Sequence, residues 1–164
     1  MVWLRRCRHL RRRGSVKALG ADAGFMIALY DDRDGHHRKA KDDFVKYLDI
    51  PSFRLLLPWP ILYESMRTRM VRNRPGIVAF DRDRRTLVSR GQLVMLDDQP
   101  YREDALEGCF NEAARPQASY RPLSLVDRVI RGMLSDKNLR IEYFLTYNAK
   151  DFADVCQKRS INLV

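Results

Sequence analysis

Four acidic residues stand where an apolar run gives way to a helical pattern, and they are the side chains best placed to do chemistry. Asp22 closes the first apolar run, and Glu64 lies in the first turns of the helix after the second. Asp127 falls three residues after Ser124, at the start of a strongly periodic helix, and Asp151 follows the run that ends at Thr146 and Asn148. Each has an ordinary explanation. Asp22, Asp127 and Asp151 are good helix caps, because a carboxylate at a helix N-terminus accepts backbone N–H groups and meets the favourable end of the dipole. Glu64 reads as a solvated helix acid. Their coincidence at successive strand-to-helix junctions points further. Carboxylates gathered in one place repel one another unless a cation neutralises them. An oxygen-rich set with few histidines suits Mg²⁺ or Mn²⁺ better than zinc. His36 and His37, adjacent in a loop or at a helix start, read as surface residues.

The positioning elements follow from hydrophobic spacing. Short apolar runs predict strands over 15–22, 54–57, 92–96, 142–146 and 161–164. Between them, apolar residues at helical spacing predict helices over 25–30, 37–49, 77–89, 101–114, 124–137 and 150–157. Pro58 and Pro60 open another helix, which carries Glu64, runs through Met70 and breaks between Asn73 and Gly76. Ser124 and Asp127 have the spacing of a capping box, with Asp in place of the usual Glu. Short apolar strands alternating with helices indicate an α/β domain with a parallel sheet covered on both faces. Right-handed crossovers bring the C-terminal strand ends to one edge, so the four acids can share a cleft.

Composition sets the limits. The chain has 164 residues, 45% of them hydrophobic, and fits one domain. Its net charge is +10, and residues 1–20 alone contribute seven basic residues and no acid. Residues 1–14 therefore read as a basic arm, and 15–164 as the folded domain. The arm is equally consistent with nucleic-acid binding, with a disordered extension and with a start codon placed too far upstream. No apolar run reaches the length of a membrane span, and the basic N-terminus lacks the apolar segment of a signal peptide. Cys7, Cys109 and Cys156 are odd in number and far apart, which suggests neither a disulfide framework nor a zinc site and fits a reducing cytoplasm.

Four segments, taken in order, resemble a known family. These are Asp22 with 23–30 (Ala-Gly-Phe-Met-Ile-Ala-Leu-Tyr) followed by His36, His37 and Ala40; Leu62-Tyr63-Glu64; Leu123-Ser124-Leu125-Val126-Asp127; and 145–152 (Leu-Thr-Tyr-Asn-Ala-Lys-Asp-Phe). Their order and spacing resemble those of PIN-domain nucleases over about residues 16–164, and the compact length resembles the VapC-type toxins of prokaryotic toxin–antitoxin pairs. The resemblance implies a three-layer α/β/α fold and metal-dependent endonucleolytic cleavage of RNA at a single-stranded or looped site. It makes Asp22, Glu64 and Asp127 the acidic metal-site residues, with Asp22 and Asp127 as direct ligands and Glu64 as a ligand or acting through water. Many members have Asp where this chain has Asn148, so either Asn148 or Asp151 fills the fourth catalytic position. Ser124 and Thr146 match positions that orient waters or a phosphate. The family also implies a cognate antitoxin protein and a homodimer.

RNA needs basic surroundings near an acidic cleft. Arg67, Arg69, Arg72 and Arg74 follow Glu64, and Arg128 and Arg131 flank Asp127. Arg67 and Arg128 are the candidate phosphate contacts. Arg82, Arg84, Arg85 and Arg90, diluted by Asp81 and Asp83, read as a solvated charged surface. Tyr63, Tyr120 and Tyr147 are candidates to stack on bases, Tyr63 with an equal case for the core. A haloacid-dehalogenase-type phosphatase also ends its first strand with Asp, but it needs a second Asp two residues on, where this chain has Gly24. The alternative to an enzyme is a PIN fold that has lost its metal and binds RNA or protein.

Overall fold

The computed structural model describes residues 16–114 and 122–164. The basic arm 1–14, Cys7, Tyr120 and the turn at 115–121 lie outside the described residues. Five parallel strands, β1 (Lys17–Ala21), β2 (Phe53–Pro58), β3 (Leu93–Leu96), β4 (Ile141–Leu145) and β5 (Asn162–Leu163), form one sheet in the order β3-β2-β1-β4-β5. The first strand in sequence is thus the central one.

Side chains alternate across each strand, so the register sorts the core into two layers. Leu19, Leu55 and Leu93 are in register on one face, where Met26 and Leu29 of α1 (Ala23–Tyr30), Phe44 of α2 (His37–Tyr47) and Phe80 and Leu87 of α5 (Arg74–Ser89) close over the sheet. Gly20, Leu56 and Phe144 share the other face, closed by Ile130, Met133 and Leu134 of α7 (Leu125–Ser135). Phe152, just before α8 (Ala153–Arg159), packs edge-on against Phe144 with ring centroids 4.9 Å apart. Helix α6 (Gln99–Ala114) lies outside α7, where Ala105, Val129 and Met133 make a smaller second cluster. Helices on both faces of a parallel sheet give the three-layer α/β/α architecture expected from the sequence.

Most helix boundaries fall within two residues of expectation, and three places differ by more. The helix expected to run unbroken to Met70 is two: α3 (Trp59–Ser65) and α4 (Thr68–Arg72). No Gly or Pro marks the break. The Ser65 hydroxyl bonds back to the Ile61 carbonyl at 2.6 Å, Met66 caps α3, and Arg67 turns extended at φ −63°, ψ 167°. Helix α5 begins at Arg74 rather than Ile77, because Asn73 caps it by accepting the Gly76 N–H at 3.2 Å. The last helix is preceded by a separate 3₁₀ turn over Ala149–Asp151.

The close approach of Phe144 over β1 depends on Gly20. A Cβ there would lie 2.9 Å from Phe144 Cδ2, inside the buried face under α7. Gly20→Val is expected to cost roughly 1–3 kcal/mol by overpacking. A urea unfolding midpoint equal to that of the parent chain would show that this face is looser than its contacts imply.

Candidate active site at the sheet edge

Asp22 follows the last residue of the central strand, and its own N–H extends the β1–β4 ladder to the Leu145 carbonyl at 3.1 Å. The chain then turns into α1, and Asp22 caps it: Oδ1 accepts the Phe25 N–H at 2.7 Å. The other oxygen, Oδ2, accepts the Thr146 hydroxyl at 2.5 Å from the end of β4, 124 residues away. Asp22 is 6% exposed. Burial raises its pKa above the ordinary carboxylate value; the Thr146 and Phe25 hydrogen bonds pull the other way, and the charge of Asp127 pushes it up further. Gly24 matters here for space as well as for the turn. A Cβ at Gly24 would sit 3.3 Å from Asp22 Oδ1.

Asp127 reaches the same edge from the opposite layer. Helix α7 runs antiparallel to the strand it precedes, so its N-terminus meets the C-terminal ends of the strands. The expected capping box is present: the Asp127 N–H donates to Ser124 Oγ at 3.0 Å, and Asp127 Oδ2 accepts from the Ser124 N–H at 3.2 Å and hydroxyl at 2.7 Å. Ser124 thus anchors the Asp127 carboxylate directly. Glu64 sits near the end of α3, which leaves β2 without a loop. Its pKa is raised by burial, then by the charge of Asp127, and also by Asp22, with Arg67 opposing. Asp22, Glu64 and Asp127 therefore share one electrostatic neighbourhood, supplied by three separate junctions.

Asn148 and Asp151 pair with each other in the loop after β4. The Asn148 amide donates to Asp151 Oδ2, and the Asp151 N–H returns to the Asn148 carbonyl at 3.2 Å, closing the 3₁₀ turn on itself. Asp151 does not cap the last helix, whose N-cap is Phe152. Thr146 links this loop to the site: its Oγ1 accepts the Asn148 N–H at 3.0 Å while donating to Asp22.

The basic candidates divide. Arg67, exposed, folds its Nε onto the Glu64 carbonyl at 3.0 Å and lowers the Glu64 pKa. Arg128 is engaged on α6, away from the acids. Its largely buried guanidinium is bound by Glu112 of α6 and lies under Gly108. One residue along a helix is a rotation of about 100°, so the neighbour of an inward-facing Asp127 points at the adjoining helix instead. Arg131 is likewise held by Asp154, whose carboxyl it holds down at about 2. Arg69 pairs with buried Asp31 at 2.7 Å, and Arg82, Arg84, Arg85 and Arg90 pair with Asp83, Asp81 and Asp49, as a solvated charged surface should.

Tyr63 is exposed, which removes the core reading. Tyr147 has one face covered by His36, stacked at 4.4 Å, and its hydroxyl meets Asp43 at 3.3 Å. His37 Nδ1 lies 2.7 Å from the Ala28 carbonyl, so both histidines are structural.

Among the described residues, no three His, Cys, Asp or Glu side chains converge closely enough to form a ready-made metal cage. Both oxygens of Asp22, and Oδ2 of Asp127, are turned onto hydrogen-bond donors. The donor chemistry still fits a hard divalent cation. The charge of Asp127 raises the proton affinity of both Asp22 and Glu64, a repulsion that a cation bound among them would relieve.

The raised pKa of Asp22 has a testable sign. Folding favours its protonated form, so its contribution to stability is full at pH below the ordinary carboxylate range and is lost as pH rises through the folded value. With chelator present at about pH 7, Asp22→Asn is expected to be at least as stable as the parent, since Asn caps a helix as well as Asp does. That advantage should shrink toward about pH 4. A variant less stable at both pH values, by the same margin in denaturant melts, would mean that the buried charge carries no penalty.

No protein-family model matches the sequence, and no curated protein matches it. Among solved structures, the chain is similar to Mycobacterium tuberculosis VapC20, a sarcin–ricin loop cleaving toxin, at a TM-score of 0.56 and 16% identity, covering 83% of this chain and 94% of that one. VapC20 is a PIN-domain ribonuclease toxin. A sheet of five parallel strands between helical layers, with acids from three junctions at its C-terminal edge, is thus the PIN-type α/β fold seen in that toxin.

Proposed function

We propose that this chain is a metal-dependent endoribonuclease that hydrolyses RNA phosphodiester bonds, and that it is the toxin of a type II toxin–antitoxin pair. The observation that carries this reading is the gathering of Asp22, Glu64 and Asp127 at the C-terminal edge of a PIN-type sheet, where the charge of Asp127 acts on both of the other acids. Likeness to an RNA-cleaving toxin supports the substrate class.

In this reading Asp22, Asp127 and Glu64 hold one or two Mg²⁺ or Mn²⁺ ions. Such an ion, when bound, neutralises the acids and lowers the pKa of a coordinated water. Thr146 fixes the rotamer of Asp22, and Ser124 fixes that of Asp127, so both carboxylates are oriented before substrate arrives. Arg67 is the cation at the mouth of the site and supplies a phosphate contact. The Asn148–Asp151 pair holds the loop after β4, and Asn148 or Asp151 fills the fourth position of the proposed site.

The antitoxin, a homodimer and a cytoplasmic location belong to the same proposal. No helix of the described residues is long and apolar enough to cross a membrane. The second reading, a binding module without catalysis, draws on Asn148, where the family pattern has Asp.

Purified protein incubated with total RNA in Mg²⁺, Mn²⁺ or chelator separates the two. Discrete fragments in metal, absent with chelator and reduced about a hundredfold or more in Asp127→Asn or Asp22→Asn, are expected, since even groups that only orient metal ligands are worth 10–100-fold. Cleavage by either variant at the parent rate would overturn the site. RNA binding without cleavage in any metal would leave the binding module.

A further inference from the structure

Helix α3 carries an aromatic pair that the fold does not use. Trp59 and Tyr63 lie one turn apart, 47% and 68% exposed, with ring centroids 5.8 Å apart and planes 32° from parallel. The opposite side of the helix is buried through Ile61 and Ser65, so the two rings face outward by the geometry of the helix. The next residue after Tyr63 is Glu64, one of the three coupled acids. Two guanidinium groups border the pair. Arg67 is exposed and folded back onto the Glu64 carbonyl. Arg102 of α6 is held by buried Asp98 through two hydrogen bonds of 2.7 and 3.1 Å, stays 57% exposed, and lies near Tyr63.

We propose that Trp59 and Tyr63 form a shelf on which unpaired RNA bases stack beside the acidic edge, with Arg67 and Arg102 meeting the flanking phosphates. Exposed rings interleaved with guanidinium groups suit a single strand, whose bases have free π-faces and whose backbone is anionic. A duplex buries its base faces within its own stack and gains nothing from the rings. The shelf therefore selects single-stranded or looped RNA and seats a base next to the site. This rests on the ribonuclease reading for its biological use, but the stacking contact itself does not.

Trp3 and Trp59 are the two tryptophans of the chain, so Trp3→Phe makes Trp59 emission a direct reporter. In the full chain carrying Trp3→Phe and Asp22→Asn, a short unstructured oligoribonucleotide is expected to quench that emission saturably. Adding Tyr63→Ala should weaken binding about tenfold, with circular dichroism confirming that the variant is folded. The same strand in a preformed duplex should leave the emission unchanged. The shelf is overturned if the single strand binds by anisotropy while Trp59 emission stays fixed, if duplex and single strand quench alike, or if the single strand does not bind. In the catalytically intact chain, Trp59→Ala should raise KM and spare kcat. Cleavage with an unchanged KM sinks the shelf and leaves the nuclease. Quenching by single-stranded RNA in a chain that cuts no RNA sinks the nuclease and leaves the shelf.

Discussion

The hydrogen bond from Thr146 to Asp22 is the contact on which the edge of this sheet depends. It joins the ends of the central strand β1 and its neighbour β4, and it does so through a carboxylate that burial makes expensive to ionise. Asp22 is held on three sides: by the β1–β4 ladder through its N–H, by the first turn of α1 through Oδ1, and by Thr146 through Oδ2. A side chain so constrained has one orientation. Thr146 also receives the Asn148 N–H, so the loop after β4 is built outward from the same oxygen. Gly24 leaves room beside Asp22 Oδ1, a space that any larger residue would crowd.

Topology explains why the other two acids arrive. In a parallel sheet with covered faces, every strand points at the same edge and every returning helix starts or ends there. Helix α3 continues β2 directly and delivers Glu64. Helix α7 approaches from the opposite layer and presents Asp127 in its first turn, where its capping box orients the carboxylate. The arginines near Asp127 have been recruited for other work: Arg128 ties α7 to α6 through Glu112, and Arg131 ties α7 to α8 through Asp154. Positive charge at the mouth of the site is therefore carried by the α3–α4 break, through Arg67.

What the sequence made legible was local. Ser124 and Asp127 are three residues apart, so their reciprocal cap could be read from spacing alone, and the strands announced themselves as short apolar runs. Asp22 could be placed at the end of the first strand for the same reason. Contacts between distant residues could not be read this way. Nothing near Asp22 announces Thr146, and nothing near Arg128 announces Glu112 on another helix. The break between α3 and α4 was hidden because neither Gly nor Pro marks it; the Ser65 back-bond and the Arg69–Asp31 pair are tertiary or rotameric choices. The exposure of Tyr63 was equally undecidable, since an aromatic at helical spacing serves a core or a surface until the opposite face of the helix is known.

The energetics of Asp22 bear on the choice between an enzyme and a bare binding module. Asn would cap α1 as well as Asp, offer the same oxygen to Phe25 and avoid the desolvation of a buried anion. Thr146 could rotate to suit either. The fold therefore gives no reason for a charge at this position, and the nearby charge of Asp127 gives a reason against one. A module that only bound RNA would have still less use for it, because a buried anion repels phosphate and takes no part in stacking. The proposed cation would offset the cost of a charge at Asp22, a carboxylate held in a single orientation beside Asp127. In the proposed reading that cation serves hydrolysis of a phosphodiester, a role a bare binding module lacks.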